Sequence, residues 1–172
     1  MSSAAGVAAT IPGSSIAVTR IQPAFAVSGR LDESDFAAIA VMGFRSIISN
    51  RPDGEDPSQL SAREEAVLAW RHGLRFAHVP AAKHDLFDDA VIESMGEALE
   101  ELPGPILAHC ASGMRSAIVW AAAAARSQGA ECVLEVMAVA GLDLEVVRDE
   151  LEQEPARRRW LGRKAQSLDC GC

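Results

Sequence analysis

One segment contains the residue types needed for covalent chemistry on an anion: His109-Cys110-Ala111-Ser112-Gly113-Met114-Arg115-Ser116. Cysteine attacks as its thiolate, and the unpaired backbone N–H groups at the start of a helix favour that charged form. Gly113 allows the loop to turn its amides inward, because glycine readily adopts positive φ. Arg115 adds a charged, planar fork that matches a tetrahedral oxyanion. We therefore predict that Cys110 is a catalytic nucleophile and that residues 111–116 form an anion-binding loop.

Three residues of this segment admit a second interpretation. A cysteine is commonly an inert buried thiol, but a strand, a glycine, an arginine and a helix start all coincide around Cys110 and argue against that interpretation. Ser116 is expected either to cap the helix or to donate a hydrogen bond to the thiolate. His109 is expected either to position the loop at the substrate site through a ring hydrogen bond, or to be a hydrogen-bonded histidine at a strand end.

The elements that would position this loop alternate along the chain. Strands are predicted over residues 16–21, 25–28, 44–49, 75–79 and 105–109. Helices are predicted over residues 31–42, 61–72, 88–102, 116–127, 131–140 and 143–152. This alternation predicts an α/β fold with a mostly parallel central sheet of about four to five strands flanked by helices. The strand over 105–109 is the most apolar and is expected at the centre, which places Cys110 at the carboxyl edge where such sheets bind ligands.

The bulk properties fit one globular domain with a local anion site. The chain has 172 residues, of which 49% are hydrophobic, and its formal net charge is −8. This negative charge excludes a general nucleic-acid-binding surface, so an anion site must be built from one or two arginines and backbone amides. The longest apolar run, residues 117–125, is far shorter than the roughly 20 residues of a membrane span. No nucleic-acid or membrane partner is therefore expected.

Domain limits and location are predicted from the two ends of the chain. Residues 1–15 contain no basic residue and no long apolar core, so a flexible N-terminal tail is expected rather than a secretory signal. The catalytic domain is predicted over residues 16–155, followed by a C-terminal helix or tail over 156–172, in a cytoplasmic protein. The four cysteines show no disulfide framework and are expected to be reduced thiols.

Four motifs, in this order, carry a resemblance to a known family: Asn50-Arg51-Pro52-Asp53-Gly54-Glu55, Val79-Pro80, the segment from Gly104 to Ser116, and Ala138-Val139-Ala140-Gly141-Leu142-Asp143-Leu144. Over about residues 16–151 the chain resembles the phosphatase-like domain of beta-lactamase-hydrolase-like proteins, a bacterial family also described as sulfur transferases. The resemblance implies a fold similar to dual-specificity and tyrosine phosphatases, a nucleophile at Cys110 and an anion-binding arginine at Arg115. It leaves the reaction open, because members are named both ways.

The spacing between nucleophile and arginine bears on the reaction. Four residues separate Cys110 from Arg115, whereas cysteine phosphatases characteristically place one residue more in this loop. The shorter spacing resembles the active loop of rhodaneses, in which a serine also follows the arginine. A shorter loop encloses a smaller bowl, which suits a transferred sulfur atom better than a phosphoryl group. The spacing therefore favours a sulfurtransferase over a phosphatase.

A general acid would favour the phosphatase, since protonation of a leaving oxygen contributes about 10²–10⁴-fold to the rate. Dual-specificity phosphatases keep an aspartate in the loop that follows the strand before the motif strand, and the matching loop here is Pro80-Ala81-Ala82-Lys83-His84-Asp85. Asp85 is assigned this catalytic role and His84 a role in substrate binding, although Asp85 lies close enough to the next helix to be a solvated residue at its entry. Arg51 is expected either to help hold a substrate anion or to pair with Asp53 or Glu55.

Three functions stay open on the sequence. The leading hypothesis is a cysteine-dependent sulfurtransferase that forms a persulfide on Cys110, because the loop is short and the acid candidate is weak. The second is a phosphatase that cleaves phosphotyrosine or small phosphate esters, and the third is an anion-binding module without turnover. No cofactor and no metal is expected. The expected partner is a small sulfur or phosphate anion, or a protein substrate.

Overall fold

A single sheet organises the structure, a computed structural model that describes residues 16–157. Its strands are β1 (Val18–Gln22), β2 (Phe25–Ser28), β3 (Ser46–Ser49), β4 (Arg75–His78) and β5 (Ile106–His109). The spatial order is β1-β2-β5-β3-β4, with β1 antiparallel to β2 and every other neighbouring pair parallel. The predicted α/β fold with a mostly parallel sheet is confirmed, and the strand that precedes Cys110 is central.

Helices cover both faces of the sheet. In the described part of the chain they are α1 (Asp35–Val41), α2 (Ala62–Arg71), α3 (Asp89–Glu101), α4 (Met114–Gln128), α5 (Ala130–Val139) and α6 (Arg148–Arg157). Phe36 of α1 and Leu68 of α2 belong to the apolar core on one face. Met95, Val133 and Leu151, from α3, α5 and α6, belong to the larger core on the other face, which also contains α4. The sheet therefore lies between two helical layers.

Strand β5 is apolar throughout because both of its faces are buried. Leu107 faces the core formed with α1 and α2, while Ile106 and Ala108 face the opposite core. On the neighbouring strand, the ring of Phe25 stacks on Trp120 of α4 at a centroid distance of 5.4 Å. A strand buried on both faces reads as a continuous apolar run rather than an alternating one, which explains why the sequence indicated its central position.

Three helices begin two or more residues away from the predicted start. α1 begins at Asp35 instead of residue 31, because residues 32–35 form a turn in which Asp35 N–H donates to the Asp32 carbonyl at 3.0 Å. α4 begins at Met114 instead of residue 116, because Gly113 is its N-cap and its carbonyl accepts the first helical hydrogen bond, from Ala117 N–H at 3.0 Å. The predicted helix over 143–152 is instead a 3-10 helix (Glu145–Val147) followed by α6. Asp143 explains this start, since its carboxylate accepts a hydrogen bond from Glu145 N–H at 3.0 Å and favours a tight turn.

The expectation for the cysteines is correct in part. Cys110 is a free thiol, but Cys132 is disulfide-bonded and is not the reduced thiol that was expected. Sequence spacing does not show which cysteines a fold brings together, so this pairing escaped the prediction. The predicted tail over residues 1–15, and residues 158–172 of the predicted C-terminal segment, lie outside the described residues. Within residues 16–157, no helix has the length and apolarity needed to cross a bilayer.

Candidate active site

The predicted anion-binding loop joins the central strand to a helix. β5 ends at His109, α4 begins at Met114, and residues 110–113 connect them. β2 and β3 flank β5 in parallel register, so their last residues, Ser28 and Ser49, lie beside His109 at the same edge of the sheet. The carboxyl edge of a parallel sheet is where ligands of such folds bind. The segments that follow β2 and β3 therefore form the two sides of the loop.

Cys110 lies at the base of this loop. Its side chain is completely buried, and its Sγ accepts a hydrogen bond from the backbone N–H of Gly113 at 3.1 Å. That N–H belongs to the N-cap of α4, and the positive end of a helix dipole favours a nearby negative charge. The sulfur thus lies against a backbone donor at the start of α4, and its role as the nucleophile stays a prediction.

Glycine is required at position 113 for two reasons. Its φ is +92°, which side-chain-bearing residues rarely adopt, and a Cβ added there would lie 3.2 Å from the carbonyl oxygen of Ser28. A second contact ties the loop to the segment after β2, since Arg30 N–H donates to the carbonyl of Ala111 at 3.2 Å. The loop is therefore packed directly against the end of β2.

Arg115 lies in the first turn of α4 with a nearly buried side chain. Its Nη1 donates to the carbonyl oxygen of Ala81 at 2.9 Å, in the segment that follows β4. Its Nη2 donates to Oε2 of Glu55 at 2.6 Å, in the segment that follows β3. The guanidinium is thus fixed at the carboxyl edge of the sheet, as expected for an anion-binding arginine.

Glu55 brings the second arginine into the same cluster. The oxygen that accepts from Arg115 also accepts from Arg51 Nε at 3.2 Å. The hydrogen bond from Arg115 holds the pKa of Glu55 below its ordinary value, burial opposes this effect, and Arg51 adds to it. The expected pairing of Arg51 with Glu55 is therefore observed, and it places Arg51 beside Arg115. A contact between Arg51 and a substrate stays a prediction.

The remaining residues of the loop differ in exposure. Ala111, Ser112 and Met114 are exposed, and Ser112 Oγ accepts a hydrogen bond from Met114 N–H at 3.5 Å. Ser116 is fully buried, and its hydroxyl has no hydrogen-bond partner among the described residues. Neither expected bond of Ser116 is present, because Gly113 rather than Ser116 is the N-cap and the backbone of Gly113 binds the sulfur.

The side chain of His109 is bound by a buried carboxylate. Its Nε2 lies 3.1 Å from Oε2 of Glu65, a residue of α2, and both side chains are almost inaccessible to solvent. Its backbone carbonyl accepts from Asn50 N–H at 2.8 Å. The ring hydrogen bond agrees with both expectations for His109, since it binds a strand-end histidine and fixes the residue before Cys110, while the buried Nδ1 has no hydrogen-bond partner among the described residues.

The two residues proposed for acid catalysis and substrate binding contact each other. His84 Nε2 lies 3.0 Å from Asp85 Oδ1, with the His84 side chain 85% exposed and that of Asp85 35% exposed. The carbonyl of Asp85 accepts from Asp88 N–H at 3.0 Å, in the turn that leads into α3. Their loop begins beside Arg115 at Ala81, and the catalytic and binding roles of both residues stay predictions.

Sequence reasoning did not assign roles to three residues that organise the site. Glu55 bridges two arginines, Glu65 binds the ring of His109, and Asn50 Nδ2 donates to the carbonyl of Val79 at 2.9 Å, which links the segments after β3 and β4. A signal existed for Glu55 and Asn50, because both follow a strand that was expected to end at the edge occupied by Cys110. No local pattern distinguished Glu65 from an exposed helix residue.

The fold and the strand–cysteine loop–helix arrangement define a phosphatase-like α/β domain. The structure is similar to that of a candidate phosphatase from Neisseria meningitidis, with a TM-score of 0.68 and 26% identity over 79% of this chain and 96% of that one. It is also similar in fold to Tk-PTP, with a TM-score of 0.57 and 22% identity over 82% of this chain and 97% of that one. The chain belongs to the family described as beta-lactamase hydrolase-like protein, phosphatase-like domain, whose model matches residues 17–127.

Curated relatives of this family are longer than the present chain. The beta-lactamase hydrolase-like protein of Xylella fastidiosa strain Temecula1 is 35% identical over 104 residues, which are 60% of this chain and 24% of that protein. The matched region is thus a small part of the relative. The resemblance drawn from the four sequence motifs is confirmed at the level of the family and of the fold.

Proposed function

We propose that this chain is a cysteine-dependent sulfurtransferase in which Cys110 carries sulfur as a persulfide. The observation that carries the proposal is the compact loop. Four residues separate Cys110 from Arg115, and the N–H of Gly113 closes directly onto the sulfur at 3.1 Å. A loop closed this tightly over Sγ suits one transferred sulfur atom better than a phosphoryl group with three oxygens.

The proposed reaction has two steps that balance without an oxidant. The Cys110 thiolate attacks the outer sulfur of a donor such as thiosulfate, the S–S bond of the donor breaks, and sulfite leaves with the bonding electron pair. The persulfide formed on Cys110 then gives its outer sulfur to an acceptor such as cyanide, which leaves as thiocyanate and regenerates the thiolate. Arg115 and the amides at the start of α4 would stabilise the anions in both steps.

The surroundings of Asp85 also support sulfur transfer. Its carboxylate pairs with the exposed His84, and it lies at the turn into α3 rather than in a hydrogen bond with the loop residues 110–115. Phosphate-ester cleavage benefits from an acid that protonates the leaving oxygen. Sulfur transfer to a thiolate needs no such proton, so the proposed reaction does not depend on moving Asp85.

Mass spectrometry of the intact chain tests the proposal most directly. After incubation with thiosulfate, we expect a mass gain of one sulfur atom on the wild-type chain, lost in Cys110→Ser, and thiocyanate on addition of cyanide. Ser127→Ala, at the far end of α4, is the matched control and should gain sulfur normally. Absence of the persulfide, together with turnover of an aryl phosphate, would refute the proposal.

A phosphatase is the second candidate, and the family and the structural neighbours favour it. It would hydrolyse an aryl phosphate through a phosphocysteine at Cys110, and Cys110→Ser would abolish the activity. Asp85→Asn would then lower the rate if Asp85 were the acid, whereas an unchanged rate would exclude that role.

Complete burial of Cys110 is the feature that favours a third candidate, an anion-binding module without turnover. Alkylation of Cys110 at neutral pH no faster than that of free cysteine would support this third candidate.

A further inference from the structure

A carboxylate of the chain itself contacts the arginine that the predicted site would use to hold an anion. Oε2 of Glu55 lies 2.6 Å from Arg115 Nη2 and 3.2 Å from Arg51 Nε. These are charge-assisted contacts, the kind that carboxylates and tetrahedral oxyanions both make with arginine. Any substrate anion that binds Arg115 through Nη2 therefore meets an occupant.

Arg115 does not depend on Glu55 for its position. Its Nη1 donates to the carbonyl of Ala81 at 2.9 Å, and its side chain is packed in the first turn of α4 with 8% exposure. This backbone anchor uses Nη1 and is separate from the bond between Nη2 and Glu55. The guanidinium is thus preorganised for whichever anion is present, which distinguishes Glu55 from a residue that holds the arginine in place.

The side chain of Glu55 lies at the surface, on a segment that hydrogen bonds such as Ala62 N–H to Asp53 Oδ1 at 2.7 Å hold in place. The Glu55 side chain is 28% exposed, in contrast to the nearly buried arginines that it contacts. The preceding Gly54 has φ +76°, and a Cβ added there would meet no atom within 4 Å. A partly exposed side chain can change rotamer without any opening of its loop, so the carboxylate can leave while the arginines remain.

From these contacts we propose that Glu55 is a displaceable internal counter-ion that competes with the substrate anion for Arg115 and Arg51. This inference rests on the proposed function only for the identity of the substrate. A ligand with a single carboxylate makes the same contacts with the arginines as Glu55 does, so it has no advantage in binding free energy over Glu55. A doubly charged tetrahedral oxyanion, such as the sulfonate end of thiosulfate or a phosphate, interacts more strongly with the two arginines and displaces Glu55.

Calorimetric titration with inorganic sulfate tests the competition. We expect the full-length Glu55→Gln chain to bind sulfate at least about fivefold more tightly than wild type, since about 1 kcal/mol of competition corresponds to that factor. Acetate should bind the wild type more weakly than sulfate. Equal or weaker sulfate affinity in Glu55→Gln, or no binding to either chain, would overturn the inference.

Two further variants separate local competition from other effects. Glu100→Gln, at an exposed position of α3, changes the net charge equally and should bind sulfate with wild-type affinity. Glu55→Asp keeps the charge on a shorter side chain that contacts the two arginines less well, so an intermediate affinity is expected. It also provides the test if a melting curve shows that Glu55→Gln does not fold.

The sulfate titration is independent of sulfur transfer, because sulfate has no sulfur that it can donate to a thiolate. Tighter sulfate binding without persulfide formation would support the counter-ion and refute the sulfurtransferase. Persulfide formation without tighter sulfate binding in Glu55→Gln would support the sulfurtransferase and overturn the counter-ion. The two proposals therefore fail separately.

Discussion

Helix α4 carries one nearly buried arginine in its first turn and another near its last turn, and their surroundings differ. Arg126 donates through Nε to Glu154 at 2.8 Å and through Nη2 to Asp89 at 2.5 Å, and the Glu154 side chain is completely buried. Arg115 instead shares a partly exposed glutamate with Arg51 and donates to one backbone carbonyl. Arg126 has one completely buried carboxylate partner, Glu154, together with the exposed Asp89, whereas the carboxylate partner of Arg115 is partly exposed.

The helix dipole separates the two arginines further. Cations are favoured near the C-terminus of a helix and disfavoured near its N-terminus. Arg126 therefore agrees with the dipole of α4, while Arg115 adds positive charge where the dipole is already positive. A cation placed against the dipole strengthens an anion site at the expense of stability. The comparison assigns a structural role to Arg126 and agrees with the predicted anion-binding role of Arg115.

The largest expected effect comes from replacing Arg126, the arginine to which we assign a structural role. Arg126→Met leaves the carboxylate of Glu154 buried without its closest partner, so we expect unfolding to become easier by about 3–5 kcal/mol. Urea denaturation measures this loss. The double variant Arg126→Met/Glu154→Leu should recover most of it, and Arg71→Met, at an exposed position, is the control. A single variant within about 0.5 kcal/mol of wild type would contradict a structural role for Arg126.

The second largest effect is expected on activity, from replacing Arg115. Arg115→Lys keeps the charge but loses the fork that contacts Ala81 and Glu55, so we expect kcat/KM for sulfur transfer to fall about 10²–10³-fold, as for loss of one oxyanion donor. Its urea midpoint should stay close to that of wild type. A thiosulfate–cyanide assay gives the rate, with Arg71→Lys as the matched control. Loss of stability with unchanged activity would reverse the roles assigned to the two arginines.

A smaller effect tests the turn that places Arg115 at the start of α4. Gly113→Ala forces a Cβ into positive φ and to 3.2 Å from the Ser28 carbonyl, so we expect a loss of about 1–3 kcal/mol in stability. The Gly113 N–H should also shift away from Cys110, which slows alkylation of the thiol. Gly96→Ala is the control, since nothing lies within 4 Å of its added Cβ. A normal alkylation rate in Gly113→Ala would exclude a role for this N–H.

The smallest effect is the pH dependence due to Glu55. Its pKa is lowered on folding, chiefly by Arg115, so its contribution to stability is present above the ordinary value of 4.5 and is lost as the pH falls through the lowered pKa. The partly exposed carboxylate should contribute no more than about 1 kcal/mol. Urea denaturation of wild type and Glu55→Gln should therefore differ at pH 7 and converge well below pH 4.5. A difference that persists in acid would point to another cause.

Local sequence signals were sufficient for the loop but not for its partners. The apolar run before Cys110, the glycine at 113 and the helix that follows are short-range features, and they predicted the central strand correctly, although Arg115 lies in the first turn of α4 rather than in the loop before it. The contacts of Arg115 with Glu55 and Ala81 join residues 60 and 34 positions apart. They depend on β3 lying between β5 and β4, and spatial strand order is not encoded in any one segment. The unbonded hydroxyl of Ser116 likewise follows from which residue becomes the N-cap.

The packing of the loop against the end of β2 limits how the site can be re-engineered. A design for a wider pocket would add a residue between Cys110 and Arg115, in a loop that has little room for a Cβ at position 113 beside the Ser28 carbonyl and that accepts a hydrogen bond from Arg30 at Ala111. A library that varies the loop alone would therefore consist mainly of strained chains. Residues 28–30 and residues 111–114 should therefore be varied together, so that a change in one segment can be accommodated by a change in the other.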